Sequence, residues 1–187
     1  MNTRRICGVD EVGRGTLAGP VVASAVILQE NHNIEGLNDS KKLSVKNREL
    51  LFPLIIESSI SVGIGIIDSK IIDKLNIRRA TLLAMKNAVL DLKTKPDIVL
   101  VDGLDKIDIN IPNENILEGD SKVDCIMAAS IIAKVKRDHL MKEYSNKYPE
   151  FGFEKNKGYG TKFHLNALKT NNPSPIHRMT FKPIKKK

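Results

Sequence analysis

With 187 residues, 41% of them hydrophobic, the chain is long enough to bury one substantial core without metal or disulfide support, and a single domain over residues 1–187 is expected. Thirty Lys and Arg against 22 Asp and Glu leave a formal charge of +8, which attracts polyanions and makes nucleic acid a candidate partner without excluding others. No apolar stretch approaches the length of a membrane span, and the two cysteines, Cys7 and Cys125, stand far apart in apolar surroundings, so a reduced, cytoplasmic protein is expected.

In chain order, residues 6–9 and 21–28 are β-branched-rich runs separated by a glycine-rich loop, and residues 61–67 form a third such run. Between them, residues 44–59 carry apolar positions at helical spacing with Ser44 as N-cap, and Pro53 should kink or divide that helix. Ala80, Leu83, Ala84, Ala88 and Leu92 make one stripe of an amphipathic helix over 77–92. Residues 98–101 are an unbroken apolar run suited to a buried strand, and Ile116 with Leu117 begins another. The longest helical pattern covers 123–144. Residues 145–187, rich in Gly, Asn, Pro, Lys and aromatics, read as a helical and loop-rich flank with a short helix at 161–169 and a basic tail at 185–187. Without repeats or a long linker, this order predicts an α/β fold with a mixed central sheet flanked by helices.

Asp10 and Glu11 stand at the carboxyl end of the first predicted strand and Asp102 at the end of the strand over 98–101. If those strands are parallel neighbours, their carboxylates converge where open α/β sheets place their ligand crevice. Singly, each has a plain structural explanation: an acidic turn, an Asp-Gly turn, and, for Asp120, a helix cap. Together they supply hard oxygen ligands from three segments with no His or Cys pattern, which suits Mg²⁺ or Mn²⁺ better than zinc. Clustered carboxylates need such a cation to remain ionised side by side. Gly13-Arg14-Gly15 is a loop whose glycines permit close backbone approach to a sugar-phosphate while Arg14 supplies charge.

Asp10-Glu11-Val12-Gly13-Arg14-Gly15, Ala18-Gly19-Pro20, Asp39-Ser40-Lys41-Lys42-Leu43-Ser44, Val101-Asp102-Gly103, Gly119-Asp120-Ser121 and Ala128-Ala129-Ser130-Ile131-Ile132-Ala133-Lys134-Val135 occur in an order that resembles ribonuclease HII. Lys157-Gly158-Tyr159-Gly160-Thr161 and His177-Arg178-Met179-Thr180-Phe181 extend the resemblance over nearly the whole chain. The resemblance implies a ribonuclease H-like fold in which Asp10, Glu11, Asp102 and Asp120 hold two divalent ions. It also implies hydrolysis of RNA in RNA–DNA hybrids and on the 5′ side of single ribonucleotides in duplex DNA, leaving 5′-phosphate and 3′-hydroxyl ends. Gly13-Arg14-Gly15 would read the ribonucleotide 2′-hydroxyl, which separates RNA from DNA, and Tyr159 would pack on the neighbouring deoxyribose. Ser40, Lys41 and Lys42 would meet phosphate oxygens.

Two-metal hydrolysis requires no protein base, so His32, His139, His164 and His177 are expected to be bystanders, with hydrogen-bonded structural roles for the last two. Asn156 departs from the histidine common before Lys-Gly-Tyr-Gly in that family, and Asn171-Asn172 from a glycine-containing turn. The alternatives are the related ribonuclease HIII, which has Lys in place of Arg14 and an additional amino-terminal domain, and a catalytically silent nucleic-acid-binding module. A monomer is expected, with its protein partners open.

Overall fold

The computed structural model describes residues 4–184 and forms one five-stranded sheet with helices on both faces. The basic tail at 185–187 lies outside the described residues. Strands β1 (Ile6–Val12), β2 (Val21–Leu28) and β3 (Ser59–Ile67) make an antiparallel meander, and β4 (Ile98–Asp102) and β5 (Asn113–Ile116) add in parallel on the far side of β1. The order is therefore β3-β2-β1-β4-β5, a mixed sheet as expected. β2 is buried along seven of its eight residues because both of its faces are covered, which explains its unbroken apolar sequence.

One face is covered by α3 (Ile77–Leu90), whose Ala80, Ala84 and Ala88 meet Cys7, Val9, Ala23 and Ala25. Small residues on both sides bring this helix close: a Cβ added at Gly65 of β3 would collide with the Ala84 carbonyl. The other face carries α1 (Val45–Glu57) and α4 (Asp124–Lys147), joined through Leu51, Ile55, Ala128, Ile131 and Ile132. Gly8 permits the start of α4 to lie directly on β1, since a Cβ there would collide with the Cys125 backbone. Both cysteines are buried and free, as expected.

The structure departs from the sequence expectations in instructive places. β1 runs on through Val12, because β2 continues beside it and pairs Asp10 with Ser24 and Glu11 with Ala23. Asp10 and Glu11 therefore belong to the strand itself. Ser44 caps α1 by accepting the Asn47 N–H at 3.1 Å, but the helix passes Pro53 unbroken. Pro53 is exposed, so the backbone hydrogen bond its ring removes is lost on the solvent face of the helix and not in the core. A further helix, α2 (Ser69–Leu75), precedes α3 and was not anticipated. The predicted helix at 161–169 is α6 (Lys162–Thr170), capped by Thr161, and a one-turn helix α5 (Phe153–Asn156) stands before it. No helix among the described residues is long and apolar enough to cross a membrane.

Candidate active site

The parallel pairing of β1 with β4 sets Val9 beside Val101, so the next residue of each strand delivers a carboxylate to the same end of the sheet. These are Asp10, almost fully buried, and the half-buried Asp102. Asp120 arrives from the 3₁₀ turn Gly119–Ser121 ahead of α4 and is also buried. Asp102 Oδ1 accepts the Gly119 N–H at 2.7 Å, which fixes that turn against the end of β4. One carboxylate oxygen from each of Asp10, Asp102 and Asp120 lies within 4.8 Å of the others. Glu11 stands beside this trio, where Arg14 Nη1 reaches its Oε1 at 3.3 Å.

Crowding and burial disturb the acidities. Burial, with the adjacent charges of Glu11 and Asp102, pushes the Asp10 carboxyl well above the ordinary carboxylate range, against the Ser130 hydroxyl and Glu11 N–H, which favour its ionised form. Burial likewise raises Glu11, opposed by Arg14, and raises Asp102, opposed by the Gly119 N–H. An all-oxygen donor set that cannot comfortably carry its own charge fits a hard divalent cation. Asp10, Asp102 and Asp120 are the residues that fit one on geometry, with Glu11 adjacent.

The remaining anticipated residues surround the carboxylates unequally. Arg14 and Gly15 are exposed, whereas Gly13 is buried at φ +95°, a conformation that glycine alone adopts without strain. Arg14 and Asp102 line one cleft with Arg78, Met85 and Asp105. Lys41 Nζ donates to Asp120 Oδ2 at 2.9 Å, and Lys42 is exposed beside it. Ser40 turns inward instead: its hydroxyl is buried 2.8 Å from that of Ser130, so it seats the loop and presents no hydroxyl to a phosphate. Arg48 secures the same loop through the carbonyls of Ser40 at 2.7 Å and Leu43 at 2.6 Å. Tyr159 is 44% exposed on the turn between α5 and α6.

Sequence reasoning missed the two side chains that hold the loops bearing Arg14 and Tyr159 together. Arg178, fully buried, donates to the carbonyls of Gly13 at 2.6 Å, Arg14 at 2.8 Å and Gly19 at 2.9 and 3.1 Å. Arg137, also fully buried, donates to Thr16 Oγ1 at 3.0 Å and to the carbonyls of Pro20 at 3.0 Å and Lys157 at 2.8 Å. The Leu17 N–H reaches the Gly158 carbonyl at 2.8 Å, so the loops bearing Arg14 and Tyr159 form one unit. Asn156, the departure from the expected histidine, is buried within it. Its amide donates to the Phe151 carbonyl at 2.6 Å and accepts the Gly158 N–H at 2.8 Å.

A mixed sheet with carboxylates converging on its central parallel pair, under one basic loop assembly, defines a ribonuclease H-like protein. The ribonuclease H2 of Pyrococcus horikoshii OT3 matches the chain with a TM-score of 0.82 at 28% identity, covering 96% of this chain and 95% of that one. The RNase HII of Archaeoglobus fulgidus, solved in complex with PCNA, matches at 0.82 and 25% identity, covering 98% of each chain.

The chain belongs to the ribonuclease HII family, whose model matches residues 7–184. Ribonuclease HII of Lactobacillus delbrueckii subsp. bulgaricus is 52% identical over 177 residues, 95% of this chain and 69% of that protein. That of Endomicrobium trichonymphae is 52% identical over 180 residues, 96% of this chain and 86% of that protein. The chain is accordingly a ribonuclease H, an endoribonuclease acting on RNA–DNA hybrids.

Proposed function

We propose that this ribonuclease H also incises duplex DNA on the 5′ side of a single embedded ribonucleotide, leaving 5′-phosphate and 3′-hydroxyl ends, with two Mg²⁺ or Mn²⁺ ions held by Asp10, Glu11, Asp102 and Asp120. The observation that carries this reading is the convergence of three carboxylates within 4.8 Å, one of which, Asp102, lines a cleft together with Arg14. Divalent ions in that position neutralise phosphate charge and make water more acidic, which is why the site needs no histidine.

The chain's own residues account for selectivity. Gly15 is exposed and leaves its backbone open to approach, the buried Gly13 sets the turn, and Arg14, oriented by Glu11, brings a planar donor fork to the sugar-phosphate. A 2′-hydroxyl held there marks the ribonucleotide, while the exposed ring of Tyr159 packs on the deoxyribose beside it. Lys42 is free to meet the backbone, and Lys41 bridges Asp120 to the substrate edge.

The test is cleavage of a DNA duplex containing one ribonucleotide, with Mg²⁺ or Mn²⁺ supplied and Asp102→Asn as control. Incision 5′ of the ribonucleotide, absent in the variant, supports the reading; an intact duplex alongside a cleaved RNA–DNA hybrid would sink it.

A further inference from the structure

Behind Tyr159 lies a buried histidine pair whose hydrogen bonds can run in only one direction. His177 Nδ1 is 2.8 Å from the backbone nitrogen of Ser174, a group that can only donate. The Ser174 hydroxyl lies at 2.8 Å from the same ring atom. The Ser174 carbonyl is farther, at 3.3 Å, and already accepts the His177 N–H at 3.0 Å. Nδ1 of His177 is therefore an acceptor, and in a neutral ring the proton sits on Nε2.

That Nε2 faces His164 Nε2 at 2.9 Å, which must accept. The His164 proton is thereby placed on Nδ1, and Nδ1 lies 2.9 Å from the Tyr159 carbonyl, which has no other role than acceptor. The chain of donors runs from Ser174 through His177 and His164 to Tyr159 and closes at both ends. One further proton would set two N–H groups against each other in a pocket where both rings are nearly fully buried against Phe151 and Phe153. Burial accordingly lowers the pKa of both rings, that of His177 to about 4.

The consequence falls on Tyr159. Its carbonyl receives both the Thr161 N–H at 2.8 Å and His164, and its own N–H is taken by Asn156 at 2.9 Å, while its ring remains exposed. The backbone is fixed on every side and only the side chain is offered outward. We infer that His164 and His177 are positioning residues that act through a one-way, neutral hydrogen-bond relay to hold Tyr159 for the DNA side of the ribonucleotide junction. This inference rests on the contact proposed above for Tyr159.

Two measurements test it. Long-range proton–nitrogen NMR on the wild-type protein without substrate reports the tautomers: a proton on Nδ1 of His164 and on Nε2 of His177 is expected, and the reverse tautomer at either ring, or a doubly protonated ring at neutral pH, overturns the relay. Steady-state kinetics on the single-ribonucleotide duplex then compare His164→Phe, His164→Asn and Tyr159→Ala. His164→Phe should raise KM about tenfold, as for loss of one aromatic contact, with kcat little changed. His164→Asn should recover most of that loss, because its amide nitrogen replaces Nδ1 as donor to the Tyr159 carbonyl.

In the Tyr159→Ala background, His164→Phe should cost nothing further in KM. An equal cost in both backgrounds would show a general packing role and overturn the inference. Tyr159→Ala with unchanged KM would overturn the contact assigned to Tyr159, and would be recognised as such because the tautomers are read without substrate.

Discussion

Asp102 accepts the Gly119 N–H at 2.7 Å, so the carboxylate that closes β4 also holds the turn that carries Asp120. Charge and scaffold are thus combined in one side chain, and substitution can separate them. Asp102→Asn keeps an acceptor for Gly119 but removes the negative charge. Turnover on an RNA–DNA hybrid should fall by more than about 100-fold while the melting temperature holds or rises. Asp102→Ala removes the acceptor as well and should also lower the melting temperature. A variant pair with equal melting temperatures would show that the Gly119 bond contributes nothing to the fold.

Asp10 makes the metal-free site a source of instability. Its folded pKa is raised by burial and by Glu11 and Asp102, so the folded state binds a proton more tightly than the unfolded chain. Stability of the metal-free protein is therefore reduced as pH rises from about 4, the ordinary carboxylate value, through the raised value. At neutral pH Asp10→Asn should raise the melting temperature in EDTA. Saturating Mg²⁺ or Mn²⁺ should stabilise the wild type, by about 2.7 kcal/mol at a hundredfold excess over Kd, and the variant by less. Thermal melts of both proteins with and without metal decide it.

These two carboxylates were also the most legible part of the site. Each follows an apolar run ending in an acidic residue, and parallel pairing of the two runs is what brings them together. Asp120 was harder to read, because a carboxylate ahead of a helix has the same sequence signature whether it caps or binds. Arg137 and Arg178 were not legible at all. Among 30 Lys and Arg in a basic chain, nothing local distinguishes two that are buried, since most of their partners are backbone carbonyls more than 100 residues away. The inward seat of Ser40 was hidden for a related reason: a polar loop residue beside lysines looks exposed until α4 supplies Ser130. α2 has seven residues, too few for a periodic pattern, and β5 is an edge strand reading Asn-Glu-Asn-Ile, whose polar start hid all but its last residue.

Arg178 joins stability to selectivity. Its guanidinium spans the carbonyls of Gly13, Arg14 and Gly19 and stacks over Phe181 at 5.1 Å, an arrangement a lysine cannot reproduce. Arg178→Lys should cost about 3 kcal/mol in denaturant unfolding, because buried carbonyls lose their donors. It should also loosen the Arg14 loop. Cleavage at a single ribonucleotide should therefore fall more than cleavage of a uniform hybrid, where many sites compete for the same loop. Equal losses on both substrates would count against a role in reading the junction.

Asn156 stands where the family resemblance led a histidine to be expected, and the structure shows what its amide does there. One amide both donates to the Phe151 carbonyl and accepts the Gly158 N–H. Asn156→Ala strands both partners in a buried position and should cost about 2 kcal/mol. Asn156→Asp keeps the acceptor but places a carboxylate against a carbonyl, so it should be at least as harmful. Chemical denaturation of the three proteins orders them.

The histidine pair gives stability the opposite pH dependence to Asp10. The His177 imidazole falls from an ordinary value of 6.5 to about 4 on folding, so the folded state resists the proton that the unfolded chain accepts. Its contribution is complete above about 6.5 and is lost as pH falls toward 4, amounting to about 3 kcal/mol across that window. His164, lowered in the same direction, adds to the effect. Because Asp10 gains its proton over an overlapping range, the comparison belongs in an Asp10→Asn background. There, unfolding free energy should decline between pH 6.5 and 4, and His177→Gln should flatten the decline by removing the titrating ring. A decline of the same slope in both proteins would place the acid sensitivity in groups other than His177.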